Sequence, residues 1–265
     1  IISESGRCIT SHCSIFIFNI LGKSHEFNEL DISYQNKSSL IVSNLQETLD
    51  QIKKIDSNNI DLSKIIELWN DAKKFKDDSL NSFRLGFMSL KERATAEQIT
   101  WICAKEITKI IGNREIEHTD LSDIKDTLAS TYYGNFSVFK STPDSWAINQ
   151  VFPILPIHRH NEEPIFQASF ADLTCDSDGK LNNFINNGNI KTLINLHQLI
   201  DKQDYFVGIF LSGAYQEALG NLHNLFGNPN IIQIDMQENS KYKITDMIKE
   251  DSKSEILKVF DYNTS

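Results

Sequence analysis

Apolar residues recur at spacings of three and four through the first half of the chain, and in short runs bounded by turn formers through the second. Leu45, Leu49, Ile52 and Ile55 share one face, with Gln, Glu, Asp and Lys between them. Ile65, Leu68, Trp69, Ala72 and Phe75 make a second set, and Ala96, Ile99, Ile102, Ala104, Ile107 and Ile110 a third. Each set has the period of an amphipathic helix, with turns predicted at 56–59 and 77–81. Thr119-Asp120 reads as the N-cap of a further helix over 119–131. The punctuators agree, since all five prolines lie beyond residue 142 and no glycine falls between Gly22 and Gly86.

Beyond Tyr132 the texture changes. NFSVF (135–139), QASFADLT (167–174), YFVGIFL (205–211) and IIQIDM (231–236) are short and rich in β-branched or aromatic residues, and they read as strands. DSDG (176–179) and FINNGN (184–189) read as turns, GAYQEALGNLHNLFG (213–227) as a loop with a short helix, and 244–260 as closing helices. IFIFNILG (15–22) suits a buried strand or a buried helix. No internal repeat is visible.

Composition narrows the class. With 265 residues, 40% hydrophobic and 23% charged, the chain reads as globular and long enough for a real core. A formal net charge of -10 disfavours nucleic acid as a partner, because a phosphate-backbone binder needs a basic footprint. No apolar run approaches the roughly 20 residues of a membrane span. The four cysteines, Cys8, Cys13, Cys103 and Cys175, are scattered in a way that suits a reducing cytoplasm. The chain opens on Ile1 without an initiator Met, so it is read as part of a longer polypeptide.

Candidate chemistry is sparse. His158 and His160 lack further ligands at a zinc-like spacing, and so does the set Cys8, His12 and Cys13. DSDG fails the calcium-loop pattern, because the first and twelfth ligands would be Thr174 and Ile185. No metal site is therefore predicted. Three segments remain. In ESGR (4–7), Arg7 suits an anion, Gly6 permits close backbone approach, and Glu4 suits a protonated ring nitrogen; a surface turn is the bland reading. In TCDSDG (174–179), a Cys stands beside carboxylates at a strand end, or it is a passive residue in an Asp-Gly turn. In GAYQEALG, the start of a helix and the Tyr215 hydroxyl are donors for a phosphate.

These segments, in this order, resemble the C-terminal part of the fold-type III pyridoxal-phosphate decarboxylases. The wording is close to the biosynthetic arginine decarboxylases in particular: SESGR, NFSVFKSTPDSWAINQVFPILP, DLTCDSDG, then GAYQEALGNLHNLFG. The resemblance runs through most of residues 1–16 and 132–228. It implies an α+β chain: 1–25 the last elements of a (β/α)8 barrel, 26–131 a helical-bundle insertion, 132–243 a C-terminal β-barrel or sandwich domain, and 244–265 closing helices. It implies pyridoxal 5'-phosphate as cofactor, with Mg2+ a family expectation, and arginine as substrate of a cytoplasmic enzyme of polyamine biosynthesis. Glu4 would serve the pyridine nitrogen, and Gly6, Arg7 and Tyr215 the cofactor phosphate. Cys175 would protonate the substrate α-carbon, and Asp176 would meet the guanidinium. The cysteine loop would reach a neighbouring subunit's site, implying a homodimer or homotetramer with shared sites.

The pattern departs from the family at Asn149, where an acid is usual, and at Cys13, where a His is usual. No segment resembles the cofactor-binding lysine or the glycine-rich phosphate loop, so this chain alone is expected to be inactive. Two alternatives stand beside this reading, a non-catalytic decarboxylase-like regulatory or interaction protein and a decarboxylase of another basic amino acid. The DNA upstream of Ile1 discriminates the first of these.

Overall fold

The computed structural model describes residues 2–24, 39–57, 59–112, 121, 123–186 and 188–263. The chain divides into two compact units, Ile1–Ser24 with Thr131–Ser265, and His25–Ser130.

The second unit is helical. Helices α2 (Leu40–Lys53), α3 (Leu62–Arg84) and α4 (Leu90–Ile111) follow α1 (Gly6–Thr10) of the first unit, and α5 (Asp123–Leu128) closes the bundle. The apolar stripes meet in one core that includes Leu45, Leu49, Ile52, Ile65, Leu68, Trp69, Ile99, Ile102 and Ile107. Burial there pushes the Cys103 thiol up to about 12, which makes it inert. The Ser89 hydroxyl accepts from the Glu92 N–H while the Glu92 carboxylate accepts from the Ser89 N–H, a capping box that starts α4. Asp123 accepts from the Trp69 indole (2.8 Å) and the Lys73 ammonium (2.9 Å), tying α5 to α3. Burial works to raise the Asp123 pKa, but these two bonds and the lysine charge together leave it lowered. The turn expected at 77–81 is absent, because α3 continues to Arg84 and places its acidic run on the solvent side. The N-cap expected at Thr119-Asp120 lies outside the described residues.

The first unit carries β1 (Phe16–Lys23), β2 (Ser130–Gly134), β3 (Ile154–Pro156), β4 (Phe166–Ala171), β5 (Lys180–Leu181), β6 (Phe184–Asn186), β7 (Asn189–Lys191), β8 (Ile194–Leu196) and β9 (Phe206–Ile209). A seven-stranded sheet runs β3-β9-β1-β2-β4-β5, with β8 also on β4. Phe18, Ile20, Tyr132, Phe136, Phe170, Val207 and Ile209 fill its core, with the Phe18 and Phe136 rings 4.4 Å apart. At one end of the core the Tyr132 hydroxyl donates to the His197 carbonyl (3.1 Å) and the Tyr205 hydroxyl meets His197 Nδ1 (2.8 Å). Beside them His158 Nε2 accepts the Phe206 N–H (3.0 Å).

Several expectations need correcting. Residues 16–23 form a strand and not a helix: alternation of Phe16, Phe18 and Ile20 against polar or exposed neighbours puts β1 inside this sheet, paired with β2 and β9. The strand expected at 135–139 lies earlier, at Ser130–Gly134. Ser137 then caps the one-turn helix α6 (Val138–Ser141), with its hydroxyl accepting from the Lys140 N–H, and α7 (Pro143–Ala147) follows. FINNGN is not a simple turn, because its flanks pair as β6 and β7 around Gly188, whose φ of +80° suits glycine. The tail is not helical from 244. After α8 (Gln216–Leu219), β10 (Ile231–Met236) pairs with β11 (Tyr242–Ile248), and only α9 (Lys253–Val259) is helical. The spacing of the apolar residues in 242–248, with a bulge beside Ile244, decides this, since it gives the hairpin one face of Ile232, Ile234, Met236, Tyr242, Ile244 and Met247.

Candidate active site

Two groups of side chains from widely separated segments assemble in the first unit. The first is built on α1, which buries no side chain of its own. What holds it is a set of polar contacts just beyond its end and one ion pair of its own. The Gly213 N–H donates to the Ser11 carbonyl (2.9 Å), and the Ser14 and Ser212 hydroxyls share a bond of 3.1 Å. A Cβ on Gly213 would strike the Thr10 carbonyl and Cys13 Sγ, so only glycine permits this approach.

That docking seats Tyr215 against α1. Tyr215 takes the left-handed conformation, φ +69°, just before α8, and its ring lies under the Arg7 guanidinium, 5.2 Å from ring centroid to Cζ. Its hydroxyl fills the space beside Gly6, where an added Cβ would come within 2.5 Å of it. Arg7 Nη2 donates to Asp144 Oδ2 at 2.7 Å, and the Arg7 side chain keeps 35% of its surface exposed while Asp144 is buried. Asp144 is fixed in turn by Gln216, whose Nε2 donates to the same oxygen at 2.7 Å and whose Oε1 accepts the Asp144 N–H. The arrangement is an oriented cation and, seated against the glycine, a phenol hydroxyl, a donor set suited to an anionic group. Glu4 is exposed, two positions ahead of Gly6.

The second group is built around buried Asp172 at the end of β4. Its carboxylate accepts from the Val138 N–H, the Thr174 N–H and the Thr174 hydroxyl (2.8, 2.8 and 2.7 Å). A Cβ on Gly179 would strike Asp172 Oδ1 and Thr174 Oγ1, so the loop closes only with glycine there. This exposes Cys175 and Asp176. Asn224 Nδ2 donates to Cys175 Sγ at 3.3 Å. The His223 ring packs on Phe139 with centroids 4.4 Å apart, and its Nε2 stands 3.6 Å from Asp176 Oδ2.

The structure thus brings Gly6, Arg7 and Tyr215 together and sets Cys175 beside Asp176, while Glu4 makes no side-chain contact with them among the described residues. Asp144, Gln216, His223 and Asn224 were not singled out by sequence reasoning. They sit inside the quoted motifs, but no spacing rule links Arg7 to Asp144 or Cys175 to Asn224. Among the described residues no three His, Cys, Asp or Glu side chains gather as metal ligands, and no helix is long and apolar enough to cross a membrane.

Comparison with known proteins gives a consistent set of relatives. Residues 35–125 match the arginine decarboxylase helical bundle domain. The chain is 66% identical over 264 residues, all of its length, to a biosynthetic arginine decarboxylase of Prochlorococcus marinus subsp. pastoris, and spans 41% of that protein. A second Prochlorococcus marinus protein of the same name is 47% identical over 99% of this chain, which again spans 41% of it. Among solved structures, the biosynthetic arginine decarboxylase SpeA from Campylobacter jejuni superposes with a TM-score of 0.77 at 30% identity, covering 97% of this chain and 39% of that one.

Proposed function

Because this chain belongs to the biosynthetic arginine decarboxylase family and spans 41% of its relatives' length, we propose that the complete protein converts L-arginine to agmatine and carbon dioxide with pyridoxal 5'-phosphate. This chain then supplies one part of the site. The cofactor, when bound, withdraws electrons from the substrate α-carbon as carbon dioxide leaves.

The side chains of this chain bind, orient and protonate. Arg7, the Gly6 backbone and the Tyr215 hydroxyl hold the phosphate, and the missing side chain at Gly6 is what seats that hydroxyl. Asp144 and Gln216 keep the Arg7 fork in one orientation, so less side-chain entropy is lost on binding. Glu4 supplies the carboxylate that keeps the pyridine nitrogen protonated. Cys175 gives its proton to the α-carbon. The planar guanidinium of the substrate makes a two-point bond to the Asp176 carboxylate. The exposed Cys175 loop serves the site of a neighbouring subunit in a homodimer or homotetramer, and the enzyme works in the cytoplasm in polyamine synthesis.

The convergence of Gly6, Arg7 and Tyr215, locked by Asp144, is the observation that supports this reading most directly. Its test is the full-length enzyme carrying Cys175→Ala, assayed for agmatine formed per carbon dioxide released. The expected ratio is near one for the natural enzyme and well below one for the variant. Undiminished agmatine from the variant overturns the role of Cys175, and preferred release of carbon dioxide from ornithine or lysine overturns the choice of arginine.

A further inference from the structure

Residues 220–225 form a turn that is fastened at three points before it reaches either functional side chain. The Asn221 N–H donates to the Phe139 carbonyl (3.2 Å), and the Asn221 side chain accepts the His223 N–H (2.9 Å). A Cβ on Gly220 would strike the Lys140 carbonyl, so the chain there lies directly on α6. The His223 ring rests on Phe139, itself edge-on to Trp146.

The turn also adopts backbone angles that L residues seldom take. Asn224 has φ +53° and Leu225 φ +61°. Asn tolerates the left-handed region, but Leu in the same region is strained. The result of that geometry is specific. Consecutive side chains reach the two consecutive residues of the opposite loop, His223 to Asp176 and Asn224 to Cys175. His223 Nε2 is shielded from solvent and has no hydrogen-bond partner among the described residues, and Asp176 is the carboxylate it faces.

We infer that the 220–225 turn is a positioning element, in which Asn224 orients the thiol of Cys175 and His223 orients the carboxylate of Asp176. The inference rests on the roles proposed above for Cys175 and Asp176. In the protonation step the S–H bond of Cys175 breaks and a C–H bond forms at the substrate α-carbon, using the electron pair left when carbon dioxide departed. The sulfur keeps the S–H bonding pair as a thiolate. An amide N–H directed at that sulfur stabilises the charge as it develops and fixes the line along which the proton is given. His223 neither gives nor takes a proton in this scheme; its ring edge, 3.6 Å from Oδ2, limits the directions the Asp176 carboxylate can take toward a guanidinium.

The test uses the full-length enzyme. Asn224→Gly is the informative change, because glycine adopts φ +53° without strain and removes the amide with its one-carbon stem. It is expected to lower kcat about three- to tenfold and to lower the agmatine-to-carbon dioxide ratio, with KM within about twofold, as for a loss felt only in the reaction. Asn224→Asp keeps the shape and replaces the donor with a negative charge, so it must be at least as damaging. His223→Phe keeps the packing on Phe139 and is expected to raise KM for arginine about threefold or more while leaving the product ratio at one. In a Cys175→Ala background, Asn224→Gly should change the ratio no further.

The outcomes separate. If Cys175→Ala itself leaves the ratio at one, the role of Cys175 fails and the inference falls with it. If Cys175→Ala lowers the ratio but Asn224→Gly does not, or Asn224→Asp is tolerated, Cys175 stands and the positioning role is wrong. A His223→Phe variant that lowers the product ratio with KM unchanged also overturns the division of labour.

Discussion

Gly6 and Tyr215 make a contact that a single methyl group would break. The Tyr215 hydroxyl occupies the volume that a Cβ at residue 6 would need, at 2.5 Å, and Tyr215 cannot retreat freely because its own backbone is already in a left-handed conformation. Gly6→Ala therefore displaces the phenol or the start of α1. Overpacking of this kind costs about 1–3 kcal/mol, and roughly 1.4 kcal/mol is tenfold in affinity. The full-length protein with Gly6→Ala is expected to bind pyridoxal phosphate about tenfold more weakly, measured by titrating its absorbance. An unchanged affinity would mean that the phosphate does not depend on this contact. The histidine at 158 sets a second residue-scale expectation. Burial, then Arg159 and the neighbouring histidines His197 and His160, lowers its pKa, against which Glu162 acts only weakly. A neutral ring is also what the Phe206 N–H requires, since Nε2 accepts from it. With the folded value depressed, His158 contributes stability in full above the ordinary histidine value of about 6.5 and loses it as pH falls through the folded value. Denaturant midpoints should fall from pH 7 to pH 5, and His158→Gln, measured across the same range, should show a smaller decline.

Elements differed in how far they could be read from the chain. The helices α2, α3 and α4 were legible because each carries three or more turns of one apolar stripe and their burial follows it residue by residue. The breaks between them were less so: acidic residues at 77 and 78 suggested a turn, yet an acidic run on the solvent side of a helix costs little and α3 runs through it. Short elements failed for a different reason. Val138 and Phe139 look like strand residues, and it is Ser137 and the long-range bond from the Val138 N–H to Asp172 that turn the chain into α6. Half of the site was legible as residue types, but its partners were not, since Asp144 and Asn224 act through contacts that no local spacing encodes. The capping box of α4 gives the element-scale prediction. Ser89→Ala removes the acceptor for the Glu92 N–H and one partner of its carboxylate. The loss should be about 1 kcal/mol, read from urea unfolding followed by the helical circular dichroism signal, and a change below a few tenths would count against the box.

At the scale of the whole chain, these 265 residues hold the donors proposed for a phosphate and the proposed proton donor, but no segment resembling the lysine anchor that the proposed cofactor would need. Supplied with pyridoxal phosphate and carboxyl-labelled arginine, the chain alone is expected to release no label above the uncatalysed background; steady turnover would overturn the proposed residue roles. The helical unit enters and leaves between β1 and β2, and those strands are neighbours in the sheet, with Lys23 opposite Tyr132 and the Ser24 N–H bonded to the Thr131 carbonyl at 2.8 Å. The Thr131 N–H closes the same end on the Ser24 hydroxyl at 2.9 Å. In terms of the ladder, the segment between β1 and β2 is the loop of one β-hairpin, a connection that two residues such as Asn-Gly make in other sheets. Loop-closure entropy grows only with the logarithm of length, so so large a loop costs the sheet little. The register between Lys23 and Tyr132 is therefore held by the two strands themselves, and a change of length in the segment between them is expected to alter the sheet's stability only logarithmically.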